Sequence, residues 1–374
     1  MNILYLKNEC QRLISCNFVI PIGLNYTWEG NGGFAHLVEH LIFRGHPELT
    51  QYDLMQKIEG FGGIMNAFTD EIHTEIYIRV EERYLAEVVA LVYEAIIMFD
   101  ISEEDVKEET EIIELEESDI YIDELLLNNI LEFGNRKTTG KFCKEELKEI
   151  YRTYYSVERW TLLIVGEVSN VTKKQLEKYI TNKKGKIIPK IELSIPDSPK
   201  YERFYAGNEA YFVYYHPCTK MCDKMYMKII KYLLTSGLSS HFYKSLVEEK
   251  GYTYQITFQD VYYDKAAFVI FFTCEEEVEE EVRAIFDNVF AGPDFIDGIV
   301  NEKIRRAINM TITEYCLKEE SVSSLVQDMI TSLITGRTFV NFKETVGILS
   351  RQSEEEIKEQ IKTLLFADYG DESA

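Results

Sequence analysis

The 374-residue sequence predicts an α+β fold: a pair of sandwiches, each a mostly antiparallel sheet with helices packed on one face. Three observations carry that expectation. The chain exceeds what one hydrophobic core usually supports, and two domains of roughly 180 residues fit the size rule. Short apolar runs with strand periodicity alternate with longer runs of helical periodicity through both halves. Near residues 183–200, Lys183-Lys184-Gly185-Lys186 and the prolines at 189, 196 and 199 interrupt both periods, as an exposed linker does. The expected domains are 1–188 and 195–374.

The elements follow in order. A strand over 11–24 leads to glycines at 30, 32 and 33, which open a helix over 32–44 anchored by Leu37, Val38, Leu41 and Ile42. A helix over 50–60, a strand over 71–80 and helices over 82–99, 103–132 and 144–154 come next. Val106, Ile112, Ile113 and Ile120 give the 103–132 helix its apolar positions among many acids. The apolar run over 160–168, ended by Gly166, reads as a buried strand, followed by a helix over 172–180. In the second half the expected order is strand 209–215, helix 222–249, strands 252–260 and 265–273, helices 275–290 and 294–317, then shorter helices.

Within the first of these helices, Gly33-Phe34-Ala35-His36-Leu37-Val38-Glu39-His40 places two imidazoles one turn apart, so both can reach a single metal ion. Glu39 falls beside them, displaced from the two ligands but close enough to take a proton from a metal-held water. The order His-x-x-Glu-His is the inverzincin signature, and zinc is the expected metal. A catalytic zinc needs a third protein ligand and one open position. The acidic helix over 103–132 is the source: Glu109 and Glu116, seven apart, share one of its faces, so Glu116 could ligate while Glu109 orients a ligand. Spacing leaves Glu111, Glu114 and Glu117 as rivals, most of them expected to be solvated.

These residues resemble the pitrilysin family of inverted-motif zinc peptidases, which includes insulin-degrading enzyme and the mitochondrial processing peptidases. The similarity continues through Phe43-Arg44-Gly45-His46 and through Gly62-Gly63-Ile64-Met65-Asn66-Ala67-Phe68-Thr69, a segment that enters an edge strand in the family. It continues again through Tyr154-Tyr155-Ser156-Val157-Glu158-Arg159-Trp160, and through Gly237-Leu238-Ser239-Ser240-His241-Phe242-Tyr243 to Tyr254 in the second half. The resemblance implies two homologous domains, the second inactive. It implies His36, His40 and Glu116 as ligands of one Zn2+, Glu39 as general base with Glu109 assisting, and Asn66, Ala67 and Tyr254 as substrate-binding residues. The implied activity is that of a zinc endopeptidase that cleaves or processes peptides, a leader or precursor among them, inside a dimeric clamshell. The rival expectation is a catalytically silent peptide-binding or assembly subunit of a heterodimeric peptidase.

One departure matters. Where the family carries an Arg seven residues before the position of Tyr254, this chain has Val247, and no Arg occurs between Arg203 and Arg283. Lys244 and Lys250 are near, but a Lys lacks the planar fork of Arg. A homodimer would therefore lack the Arg of the substrate clamp, and the expected partner is a zinc-less homologous subunit that supplies Arg and Tyr, with a homodimer as second choice.

The balance of 40 basic against 64 acidic residues gives a net charge of −24, which repels nucleic acid and anionic lipid alike. The second acidic cluster, at 275–277 and 279–281, could attract basic peptides or serve solubility. No apolar run reaches membrane-spanning length and the first twenty residues lack a signal-like core, so a cytoplasmic protein is expected. Seven cysteines, an odd number, are expected to be reduced thiols, with Cys218 and Cys222 a weak candidate for a partial metal site. His46 and His73 are expected at the surface or in hydrogen bonds, and most of the 25 tyrosines in core and strands.

Overall fold

A computed structural model describes residues 1–8, 12–44, 46, 48–116, 141–180, 196–206, 209–218, 224–262, 266–335, 339 and 341–366. These form two compact units. The first begins β1 (Asn2–Leu6), β2 (Ile14–Ile20), α1 (Phe34–Leu41), α2 (Gln51–Gly60), β3 (Ile64–Thr69) and β4 (Thr74–Val80). It continues with α3 (Leu85–Ile97), α4 (Glu103–Glu116), α5 (Lys144–Tyr154), β5 (Thr161–Val165) and α6 (Asn170–Tyr179). Its sheet runs β1-β5-β2-β4-β3, parallel between β1 and β5 and antiparallel elsewhere.

Strand β2 explains the sheet's two faces. All seven of its residues are buried. Because side chains alternate, Ile14, Cys16, Phe18 and Ile20 face one side, where they join Leu37, Val38 and Leu41 of α1 and the apolar faces of α3 and α5 in the main core. Ser15, Asn17 and Val19 face the other. That core-facing stripe on α1 leaves His36, Glu39 and His40 on its remaining surface. Helix α2 starts from a capping box in which Thr50 and Asp53 satisfy each other's backbone N–H groups.

The second unit holds β6 (Lys200–Ala206), β7 (Glu209–Pro217), α7 (Lys224–Leu234), β8 (Thr257–Tyr262), β9 (Ala266–Thr273), α8 (Glu279–Phe290), α9 (Asp294–Asp297) and α10 (Asn301–Glu319). Its sheet, β6-β7-β9-β8, is antiparallel throughout. Phe212, Tyr214 and His216 on one face of β7 pack against Phe286 and Phe290 of α8. After α10 comes α11 (Val322–Thr335), which belongs to the first unit; α12 (Phe342–Leu349) and α13 (Glu354–Phe366) return to the second. On the first unit's sheet, Val326 and Ile330 of α11 pack against Val19, Leu163 and Val165, covering the face turned away from α1.

Several elements depart from expectation. The helix expected over 222–249 is two pieces, α7 and a π-helical stretch Tyr243–Glu249. Between them the N–H groups of Thr235 and Ser236 fold back onto the Lys231 carbonyl and Gly237 takes the left-handed conformation, φ 88°, which stops a helix. Helix 294–317 is broken near Gly298 into α9 and α10. Strand 252–260 begins only at Thr257. β1 and β6 were not anticipated at all. The part of helix 103–132 beyond Glu116, most of the expected linker (181–195), Gly45, Glu117 and Cys222 lie outside the described residues. Among the described residues no helix is long and apolar enough to cross a membrane.

Ile330 is fully buried against the sheet. Ile330→Ala is expected to cost about 2–4 kcal/mol in urea unfolding. A cost near zero would mean that α11 does not seal that face in solution.

Candidate metal centre

The helix that presents the two imidazoles enters from a tight loop. Gly30 and Gly33 both have positive φ, 84° and 89°, and Gly33 is the N-cap of α1 with no side-chain cap to help it. What fixes the entry is aromatic packing. Phe34, the first helical residue, is fully buried, stacked on Tyr154 and edge-on to Phe142, while Trp28 meets Tyr154 edge-on.

Helix α4 lies against α1 and brings its carboxylates with it. Val106, Glu109 and Ile113 are its buried positions, so the face containing Glu109 and, seven residues on, Glu116 is the one turned to α1. Glu111 and Glu114 are exposed on other sides, and Glu111 pairs with Lys107 of its own helix. His40 Nε2 stands 3.2 Å from His36 Nε2. Glu116 Oε2 lies 3.7 Å from His36 Nε2 and 3.6 Å from His40 Nε2. Taken together, His36, His40 and Glu116 form a group whose ligand atoms all fall within 4.8 Å of one another.

These separations suit one small cation. Atoms bound tetrahedrally to zinc at about 2.0–2.2 Å stand roughly 3.3–3.6 Å apart. The donor set fits as well. Glu109 Oε2 lies 2.9 Å from His40 Nδ1, so a neutral ring with its proton on that nitrogen offers the Nε2 lone pair to a metal. Burial and the neighbouring His40 lower His36 to about 4, which leaves it neutral at pH 7. For His40, burial works the other way from its surroundings, and the Glu109 hydrogen bond with the nearby carboxylates raises it. Glu116 is half exposed, which leaves the cluster open on one side.

Glu39 is a part-buried acid beside the cluster. Burial raises it to about 6, against the lowering influence of His40 and of the Thr69 hydrogen bond. Thr69 Oγ1 donates to Glu39 Oε2 at 3.1 Å and lies 3.2 Å from Thr74 Oγ1, which in turn donates to the Ile22 carbonyl. Neither threonine was assigned a role from sequence, and nor was Arg44, whose Nε lies 2.5 Å from Glu109 Oε1. Thr69 and Arg44 both sit in segments that carried the family likeness, and that was the available signal.

The remaining candidates are scattered. Asn66 and Ala67 lie on β3, the sheet's edge strand, where Asn66 Oδ1 accepts from the Ala67 N–H. Tyr254 belongs to the second unit and is 88% exposed. Val247 is half buried in the π-helical stretch. His46 accepts a turn hydrogen bond from the Glu48 N–H. Cys218 is buried and forms no disulfide among the described residues.

Residues 2–141 match the family described as Insulinase (Peptidase family M16), and residues 141–296 match the Peptidase M16 inactive domain. The chain belongs to the M16 peptidase family. This M16 chain is similar to an uncharacterised zinc protease of Rickettsia bellii, 19% identical over 381 residues that cover 95% of this chain and 87% of that protein. It is 25% identical over 194 residues to the mitochondrial-processing peptidase subunit beta of Bos taurus, covering 48% of this chain and 40% of that one. Its fold is that of a solved protease from Helicobacter pylori, with a TM-score of 0.79 at 17% identity, covering 97% of this chain and 94% of that one.

One further histidine in the M16 chain is fully buried rather than at the surface. His73 Nδ1 is 2.7 Å from Asp70 Oδ1, an ion pair outside hydrogen-bond geometry, and the same oxygen accepts the N–H groups of Ile72 and His73. Its Nε2 is 3.9 Å from Glu75, whose carboxylate also accepts from Gln327 of α11. Burial opposes the charge, but the two acids raise the imidazole to about 9. Since the folded pKa lies above that of a free imidazole, the stabilisation is complete below about pH 6.5 and lost as pH rises through about 9. His73→Gln is therefore expected to remove a fall in melting temperature that the parent chain shows between these pH values; an identical slope in both proteins would contradict the pairing.

Proposed function

We propose that this chain is a zinc metallo-endopeptidase with His36, His40 and Glu116 as ligands of a single ion. The observation that carries the reading is the meeting of His36 Nε2, His40 Nε2 and the Glu116 carboxylate from α1 and α4, with one side left open. Held by His36, His40 and Glu116, a zinc ion would supply Lewis acidity toward the scissile carbonyl and the attacking water. Glu39 accepts the proton from that water and passes it to the leaving amine, a task suited to a carboxyl raised to about 6. Thr69 holds one oxygen of Glu39 in place. Glu109 fixes the His40 tautomer, so that Nε2 presents a lone pair. Strand β3 ends the sheet among the described residues, and an extended peptide can add to it through main-chain hydrogen bonds beside Asn66 and Ala67.

For the assembly, the proposal is a heterodimer with a zinc-less homologous subunit. Val247 offers no guanidinium, and the two lysines near it are engaged, Lys244 with Glu249 at 3.6 Å and Lys250 with Glu281 at 3.3 Å. A matched relative is by name a beta subunit.

Glu39→Gln is expected to keep one zinc per chain, read by metal analysis, while cleavage of a peptide library falls at least about 100-fold. His36→Ala and Glu116→Ala are expected to lose zinc and cleavage together. Wild-type turnover from the Glu39 variant would remove Glu39 as the base, and zinc binding without cleavage, partner present, would favour a silent binding subunit. The purified chain alone is expected to be much less active than with its partner; full activity alone would argue for self-sufficiency.

A further inference from the structure

We propose that Arg44 is a positioning residue for the metal centre, acting through Glu109 on the ring of His40. The inference rests on the zinc reading above and extends it by one shell. Arg44 lies just past the end of α1, with its N–H on the Leu41 carbonyl, and its guanidinium reaches across to α4. There Nε meets Glu109 Oε1 at 2.5 Å, and a terminal nitrogen meets Glu108 Oε2 at 2.7 Å, with Asp105 3.6 Å away. The other oxygen of Glu109 is the one on His40 Nδ1, at 2.9 Å.

Glu109 is thus divided between two partners, one oxygen each. Its side chain is only 6% exposed, so the carboxylate cannot trade a lost partner for water. With His40 hydrogen-bonded to one oxygen and the guanidinium charge paired with the other, the carboxylate is biased toward one orientation, and the His40 ring with it. Without Arg44, the carboxylate would keep a single anchor and a buried charge would lose its compensating cation. The planar fork of Arg suits the task, because one guanidinium serves Glu109 and Glu108 on different nitrogens. Glu108 and Asp105 are the controls: they share the guanidinium but touch neither imidazole.

The test is a double-mutant cycle on zinc affinity, measured with a competing chelator and zinc alone, together with the melting temperature of the metal-free chain. Arg44→Met is expected to weaken zinc binding about tenfold, the lower end for groups that orient a ligand. Glu109→Gln is expected to weaken it by as much or more, and adding Arg44→Met to it should cost nothing further. Glu108→Gln should leave zinc affinity unchanged. If Arg44→Met does not fold, Arg44→Lys, which keeps the charge and loses the fork, is carried through the same cycle with a several-fold weakening expected. An unchanged affinity, or an equal loss with and without Glu109, overturns the inference while leaving the zinc reading intact. A parent chain that binds no zinc overturns both.

Discussion

A carboxylate buried between two helices sets the geometry on which the rest of the centre depends. Glu109 is 4% exposed, and in that environment a carboxylate left without partners is costly. His40 and Arg44 supply them, both from the α1 segment, so the contact that satisfies Glu109 also fixes how α4 lies on α1. Once that register is set, the residue two turns further along α4 must fall near the Nε2 atoms of His36 and His40. Glu116 occupies that place. Glu111 and Glu114, identical in chemistry, are exposed on other sides of the helix, and the third rival by spacing, Glu117, lies outside the described residues.

The opposite wall is tied to the sheet instead. Glu39 reaches Thr69 at the end of β3, and Thr69 reaches Thr74 at the start of β4, so the turn between two paired strands holds the acid. That turn is closely packed against Gly23. A Cβ on Gly23 would come within 2.4 Å of the Asp70 carbonyl and 2.5 Å of the N–H groups of Ile72 and His73, so the chain can pass there only as glycine. Asp70 then gathers the same N–H groups and the His73 imidazole, and Glu75 extends the cluster to Gln327 of α11. A helix from the last sixth of the chain thereby bears on the strand that carries the support for Glu39.

How much of this can be read from sequence depends on range. The His36, Glu39 and His40 constellation is local, a matter of helical spacing, and it is legible without a fold. Helix α1 and the apolar strand β2 are likewise announced by their own periods. Glu116 needed the family likeness, because which of several acids faces α1 depends on the packing of Val106 and Ile113. Arg44 and Thr69 act on residues 65 and 30 positions away, and no local pattern encodes such a pairing. The same holds for α11, whose own apolar pattern gives no sign that Val326 and Ile330 meet Val19, Leu163 and Val165. The break after α7 escapes notice for a different reason: residues 235–240 interrupt the helical pattern by only six positions, and Leu238 falls among them. Strand β6, with Lys200, Glu202 and Arg203 among seven residues, hides its period behind charges, and the partner of Arg203, Glu279 at 2.5 Å, comes from α8.

Counting protons along the threonine chain shows why Glu39 suits a base. Three contacts link Glu39, Thr69, Thr74 and the Ile22 carbonyl, while the two hydroxyls carry one hydrogen each. With Glu39 ionised, Thr69 donates to it and Thr74 donates to the carbonyl, and the 3.2 Å contact between the hydroxyls has no proton of its own. When Glu39 gains a proton, it can donate to Thr69, Thr69 can turn to Thr74, and all three contacts are filled. Proton uptake therefore completes a hydrogen-bonded chain instead of breaking one, and it does so in an enclosed setting where an unmade hydrogen bond is costly. Burial raises Glu39 for the same reason, by making the charged form the harder one to keep, so solvation and hydrogen-bond count both press the carboxylate toward accepting a proton.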